Sequence, residues 1–558
     1  MKINKYYIVL LLSLVSLSFV FNSCETTNLD LQDDPNTLDP SQISIHDGLN
    51  GLQVNFANFF EGTQIIGGQL TRENYMFGST YQNAMSPGTG GGAWSTGYAG
   101  ILLDSKVILD KIQNDGISAP LHVGVMHAMR AYVLMTLVDY WGDVPYSEAL
   151  GGVDNFNPNV DSGSQVYGEA LNELNLAKTS LEDALANLDS DGNVINTIPG
   201  GSEVLNMFFE NSSNEGELAA YWIKFVNSLK FKYYLNIGDV AELNNLIAEN
   251  NMISSNTENC AFRYSTVNSP ESRHPAFVAN YTGNTSDYMS NSLMYKMVLH
   301  ADNPNPDPRG PYYFYRQTLT FPGPNDNPSL NDALPCSSQA SPYPPGVAFC
   351  AFGDGYWGRD HGDADGIPPD GDKRTTWGVY PAGGLVDSGQ GSPVSEDDGL
   401  KGAGISPVLM SFQVYLLRAE AALRLGTNDN AASMLLNGMS KSISYVTSFD
   451  GSAPEAGTTY KTNVMNAFNA ATTTDEKMQI IAEQMWVASF GSGTEMYNMY
   501  RRTGFPNNLQ PHLLGTGAGD FPRSLFYPST TADLNTNINQ KPNLTESVFW
   551  ADPSINLN

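Results

Sequence analysis

Apolar side chains recur at helical spacing in several separate stretches of the chain. From Pro120 to Leu150 they fill most positions, Val125, Met126, Met129, Tyr132, Val133, Leu137 and Val138 among them, up to the turn Gly142-Asp143-Val144-Pro145. A helix apolar on nearly every side is buried on nearly every side. Val166 to Leu188 carries one stripe (Val166, Ala170, Leu171, Leu174, Ala177, Leu181, Leu185, Leu188), with Ser164 as its expected N-cap. Between Tyr221 and Asn250, Trp222, Phe225, Val226, Leu229 and Tyr233 share a face, Gly238 ends the helix, and Asp239 with Glu242 boxes the next start.

The same pattern returns near the far end. Phe412 to Leu425 and Ala431 to Tyr445 form a pair broken at Gly426, with Glu420 placed to meet Arg424 one turn on. Glu476 to Phe490 and Glu495 to Arg502 form another. Recurring helix hairpins predict tetratricopeptide-like stacking, although no strict repeat of about 34 residues recurs, so the units are divergent. Residues 251–404 differ, being rich in Pro, Gly, Asn, Asp and aromatics, with short strand candidates at Asn259 to Tyr264 and Tyr312 to Thr320. A loop-rich insert of that length on a helical scaffold is where function is expected.

Charge narrows the function. The 558 residues hold 28 Lys and Arg against 58 Asp and Glu, a net charge of −30. Phosphate binding needs a basic footprint, so nucleic acid is set aside as a partner. With 41% hydrophobic residues the chain still builds a substantial core.

The beginning reads as a secretory signal: Lys2 and Lys5, an apolar run from Tyr6 to Phe21, then Ser23-Cys24. Residues 1–23 are expected to be the signal peptide and 24–44, polar and without helical period, a tether. No later stretch is expected to span a membrane. Cys24, at the cleavage position after a small residue, resembles the acylated cysteine of bacterial lipoproteins, although leucine is missing three residues before it. An oxidising compartment would permit a disulfide between Cys336 and Cys350, which flank a Pro-rich segment, while Cys260 is expected to be buried as a free thiol.

Several strings invite a chemical reading. Gly88 to Ala93 fits a dinucleotide-binding glycine pattern but lacks the strand before and the helix after, so a flexible loop carrying Trp94 is the better reading. His122 and His127 are five apart, which does not place two ligands on one helix face. The acidic stretch from Asp354 to Asp372 is most simply a set of solvated turns. As a candidate metal site its Asp360, Asp363, Asp365 and Asp370 would hold one calcium ion through hard oxygen ligands. A further run, Asn187, Asp189 and Asp191, lacks a closing glutamate. Carboxylate pairs of a glycosidase are defined in space and not in sequence, so hydrolysis stays open as an alternative.

Loop aromatics are the remaining signal: Tyr75, Tyr81, Trp94 and Tyr98, then Tyr281, Tyr288, Tyr312, Tyr313, Tyr356, Trp357 and Trp377. Most such rings plug the core beneath loops, but flat faces also stack on sugars or peptide side chains. Trp94 and Trp357, supported by Tyr81 and Tyr98, are the candidate ligand platform.

Strings spread along the chain resemble the SusD/RagB family of outer-membrane nutrient-binding lipoproteins, in its starch-binding-associated SusD-like branch. They are Asn28-Leu29-Asp30, Asp34-Pro35-Asn36, Ala128 to Tyr132, Leu137 to Tyr146, Trp222 to Leu229, Leu417 to Ala421, Tyr500 to Pro506, Phe526-Tyr527-Pro528 and Val548 to Pro553. The resemblance implies a mainly α fold, with tetratricopeptide-like helix pairs supporting a loop-rich ligand face and a few short strands. On this reading residues 45–558 are one domain, helical at about 45–250 and 405–510, with the insert at 251–404 and a tail at 511–558. It further implies a lipid-anchored protein facing outward from the outer membrane. Such a protein binds oligosaccharide, or alternatively peptide or glycopeptide, and passes it to a SusC-like TonB-dependent transporter without hydrolysing it. Arg130, Asp139, Arg501 and Arg502 are expected to bear the fold.

Overall fold

The 120–141 helix begins at Pro120, whose missing N–H costs nothing in a first turn, and ends where Gly142 takes a positive φ of 77°. All of it except Pro120, Val123 and His127 is buried. It is long and apolar enough to cross a membrane by length and composition alone. That corrects the sequence expectation that no later stretch qualifies, and its burial inside the protein makes it the central core helix. Its nearest partner, Gly163–Ala186, comes close enough that a Cβ on Gly124 would lie 2.6 Å from Leu181.

This is a computed structural model, and it describes residues 44–151, 155–200, 206–283, 287–298, 303–319, 355–363 and 374–557. The signal peptide, Cys24 and nearly all of the tether, the Cys336–Cys350 pair, Asp365 and Asp370 lie outside the described residues.

Helices follow one another as packed neighbours: 120–141 on 163–186, 163–186 on Glu215–Ile237, and Ser411–Leu425 on Ala431–Thr447 and on Thr474–Ala488. The fold is therefore mainly α, built of tetratricopeptide-like helix pairs. Caps set most of the boundaries. The 163–186 helix is capped two residues earlier than expected, at Ser162 and not Ser164, because Ser162 is extended and makes a reciprocal capping box with Gln165. Asp239 accepts from the Glu242 N–H, and Gly238 closes the preceding helix at φ 74°. A polar helix at Thr458–Ala470, which buries Phe468, carries too weak an apolar stripe to be read from sequence.

Opening the described fold is Ile45–Leu70, which crosses Gly493–Thr503 at backbone contact: a Cβ on Gly67 would stand 2.5 Å from the Gly493 carbonyl oxygen. The insert is pinned at both ends. Cys260–Arg263 pairs antiparallel with Ile405–Leu409, Ala261 opposite Pro407 and Phe262 opposite Ser406, and Cys260 is a buried free thiol. A second ladder inside the insert joins Phe314–Arg316 to Thr375–Trp377.

Among the described residues, several of the strings that carry the family resemblance meet in the interior. Asp139 accepts from Tyr167, from Asn498 Nδ2 at 2.7 Å and from Trp550 Nε1 at 3.1 Å. The Arg501 guanidinium lies 3.7 Å from the Tyr497 ring centre and donates to the Arg523 carbonyl. Arg130 reaches Glu173 at 2.8 Å and the Leu102 carbonyl at 2.7 Å. These groups hold distant parts of the chain together.

Candidate functional site

The chain leaves the 45–70 helix through a turn in which the Glu73 and Asn74 N–H groups donate to the Gly68 carbonyl. Arg72 sits in this turn at φ 62°, a conformation a non-glycine residue adopts only when its surroundings hold it there. Its guanidinium does so by donating to the Leu70 carbonyl at 2.6 Å, the Gln510 carbonyl at 3.0 Å and the Tyr81 hydroxyl at 3.1 Å. The following residues, Tyr75 to Phe77, are thereby aimed at the insert.

One isolated bridge, Asn74 with Met289, laces that segment to the insert, and a second, Ser290 with Arg359, ties the insert to itself beside it. Tyr75 donates its hydroxyl proton to the Asp363 carbonyl. Its ring meets Tyr288 edge-on at 5.8 Å and Phe77 at 6.3 Å. Two guanidinium groups lie against Tyr288, Arg359 at 4.8 Å and Arg374 at 5.4 Å. Phe77 alone of these rings opens to solvent, at 56% exposure. An exposed phenyl ring held by a buried aromatic and arginine cluster is a firm apolar contact, since its support cannot rotate away.

Beneath the cluster Asp360 accepts from Asn291 Nδ2 at 2.8 Å and Gln510 Nε2 at 2.9 Å, and burial raises its pKa above the usual carboxylate value. Asp363 pairs with Arg359 at 2.9 Å. Among the described residues no cluster able to hold a metal forms here: Asp360 Oδ1 meets two amides and Asp363 Oδ2 a guanidinium, and Asp365 and Asp370 of the proposed calcium set lie outside the described residues. Burial holds His361 well below its ordinary pKa, so near neutral pH it is an uncharged imidazole 3.2 Å from the Tyr81 hydroxyl.

The four candidate platform aromatics are placed differently from the sequence expectation. Trp94 is 6% exposed and lies in the helix Gly91–Ser95, which Gly90 starts at φ 78°, so its glycine tract is not a free loop. Its ring packs 5.2 Å from Trp141 and 4.8 Å from half-buried Tyr98, whose hydroxyl donates to the Pro145 carbonyl. Burying an indole against another indole outweighs the cost of ordering the glycines. Tyr81 is 2% exposed and packs on His361, His512 and Phe521. Trp357, 4% exposed, has no ring contact with the other three among the described residues; its backbone N–H donates to the Thr375 hydroxyl. The structure brings Trp94 and Tyr98 together and leaves Tyr81 and Trp357 elsewhere. Phe77, Arg359 and Arg374 were missed, and the Tyr75-Met76-Phe77-Gly78 string was the available signal for the first of them.

A larger cavity of about 970 Å³ opens between Val54 and Asn58 on one side and Tyr264 and Arg273 on the other. Behind Tyr264, Glu61 accepts from Ser406 at 2.5 Å and from Gln64 at 2.9 Å, and burial pushes its pKa up to about 6.

A family described as "Starch-binding associating with outer membrane" matches residues 60–325 and 378–528, most of the chain. The chain belongs to the SusD-like family. Solved structures carry the same fold. One is described as a chitin-binding SusD homolog from Flavobacterium johnsoniae. It is 18% identical, covers 90% of this chain and 98% of its own, and superposes with a TM-score of 0.61. A SusD/RagB family protein from Bacteroides thetaiotaomicron is 18% identical over 91% of this chain and 99% of its own, at 0.63. A SusD homolog from Bacteroides uniformis is 17% identical over 91% and 99%, at 0.59. At these identities the likeness establishes the SusD-like fold and leaves ligand residues to this chain's own geometry. No curated protein matches the chain.

Proposed function

We propose that this SusD-like protein is an outer-membrane lipoprotein, anchored through Cys24 and facing outward, that binds oligosaccharide and delivers it to a SusC-like TonB-dependent transporter. The observation that carries the binding reading is Phe77, exposed at the rim of the Tyr75, Tyr288, Arg359 and Arg374 cluster. A phenyl face offers the apolar side of a sugar ring its contact, and the buried cluster beneath holds that face in place. Supporting it are the family's description and the chitin-binding relative.

Co-sedimentation of the purified mature protein with insoluble starch and with insoluble chitin tests this reading. Retention on one polysaccharide, released by its soluble oligomers, is the expected result. Retention on neither, with binding to a peptide library instead, contradicts it.

A further inference from the structure

Away from the Phe77 rim, a cleft of about 570 Å³ runs between the helices Asn291–Met297, Thr458–Ala470 and Thr474–Ala488. That volume lies within the range of about 300 to 1,000 Å³ typical of small-molecule sites. Its walls combine three aromatic residues, Tyr295, Tyr460 and Trp486, with the short apolar side chains Val464 and Ala467. Trp486 is 3% exposed, and its indole N–H has no acceptor among the described residues.

The polar groups of the cleft are chiefly amides. Asn305 and Asn463 stand exposed at the cleft with no side-chain partner among the described residues. Gln484 is held in place through Tyr460, whose hydroxyl receives its Nε2–H at 3.0 Å. The charged residues lining the cleft, Lys296 and Glu483, neutralise each other at 2.6 Å, and Asn508 donates to the same carboxylate at 2.8 Å. A carboxamide donates and accepts side by side, as a sugar hydroxyl does, so fixed aromatics beside free amides suit a polyhydroxylated guest. With its charges paired internally, the cleft favours a neutral guest over an anion or a cation.

The cleft also adjoins the first site. Asn291, which binds Asp360 beneath the Tyr288 cluster, is next to Ser292 in the cleft wall, and Gln510 contacts both Asp360 and Ser292.

We infer that this cleft is a second carbohydrate subsite, taking a neutral sugar unit between Tyr295, Tyr460 and the amides of Asn305 and Asn463. This rests on the oligosaccharide-binding reading above and adds a place where a second part of the same glycan, or a second glycan, is held.

Indole ¹H–¹⁵N spectra of the full mature protein, labelled at tryptophan, test it. The Trp486 resonance is assigned by its loss in Trp486→Phe. Maltohexaose and chitohexaose are titrated separately, with tetra-alanine as the peptide arm. The expected result is a saturable shift of the Trp486 resonance with one hexasaccharide, which persists in Phe77→Ala and whose midpoint moves about tenfold to weaker binding in Asn463→Ala and in Tyr295→Ala. Asn463 is exposed on a helix surface, so its variant keeps the test open if Tyr295→Ala fails to fold. A hexasaccharide that shifts other resonances but leaves Trp486 unmoved overturns the cleft and spares the Phe77 site. A Trp486 shift with tetra-alanine alone overturns the sugar assignment. No binding of either hexasaccharide by any resonance or by calorimetry overturns both readings.

Discussion

Arg502 and Glu420 face each other in the interior through two hydrogen bonds of 2.7 Å, Nε to Oε1 and Nη2 to Oε2. The pair joins the last helix hairpin to the 411–425 helix, and the remaining Arg502 nitrogen reaches Asn236 at 2.6 Å. Burial pulls the Glu420 pKa up, but the Arg502 guanidinium more than offsets that and holds it below its ordinary value.

Removing one partner leaves the other charge buried. Arg502→Met is expected to cost about 3 to 5 kcal/mol of stability, measured by urea unfolding. Because the folded pKa of Glu420 is depressed, its contribution is present above the ordinary carboxylate range and disappears as pH falls through the folded value. A loss below about 1 kcal/mol would mean the pair is no more than a surface bridge in its effect.

Glu61 works in the opposite direction. With a folded pKa of about 6 against an ordinary value of 4.5, the folded carboxyl keeps a proton through that window after the unfolded chain has released it. Stability therefore falls as pH rises through that window, by about 2 kcal/mol in total. Glu61→Gln should flatten this slope in thermal melts taken between pH 4.5 and 6. An unchanged slope would remove Glu61 as its source.

Trp94 serves the core, so its truncation is a stability experiment. Trp94→Ala should lose about 3 to 5 kcal/mol by empty space left against Trp141 and Tyr527. Little change in the melting temperature would instead indicate a ring that is free to serve a ligand.

Anchoring is read at Cys24. Cys24→Ala is expected to move the protein from the membrane fraction to the soluble one in its native host, followed by immunoblot. Persistent membrane association after a high-salt wash would show an attachment that does not use this thiol.

The helical architecture was legible because its signals are local: the stripe from Val166 to Leu181, the stop at Gly238 and the Asp239 cap each act within a turn or two. The insert was legible as an irregular region, and its strand at Cys260–Arg263 was found, because short apolar runs between turn residues have few other uses. The site was not. Whether a ring in a glycine-rich stretch is exposed depends on partners far along the chain, Trp141 and Tyr527 for Trp94, His512 and Phe521 for Tyr81. Nothing in the Tyr75-Met76-Phe77-Gly78 string says which of its two rings is buried; that follows from the turn that Arg72 holds and from the Asp363 carbonyl that takes the Tyr75 hydroxyl. Likewise the carboxylate density at Asp360 and Asp363 gave no hint that Asn291, Gln510 and Arg359 would occupy those oxygens.

The central claim is that oligosaccharide is held at the Phe77 rim. Its most direct measurement is calorimetric titration of the parent and of Phe77→Ala with the hexasaccharide that the parent binds, beside a thermal melt of each. An exposed stacking ring contributes about 1 to 1.5 kcal/mol, so the account predicts affinity weakened roughly tenfold in Phe77→Ala with the melting temperature unchanged. Equal affinity in the two proteins would contradict it.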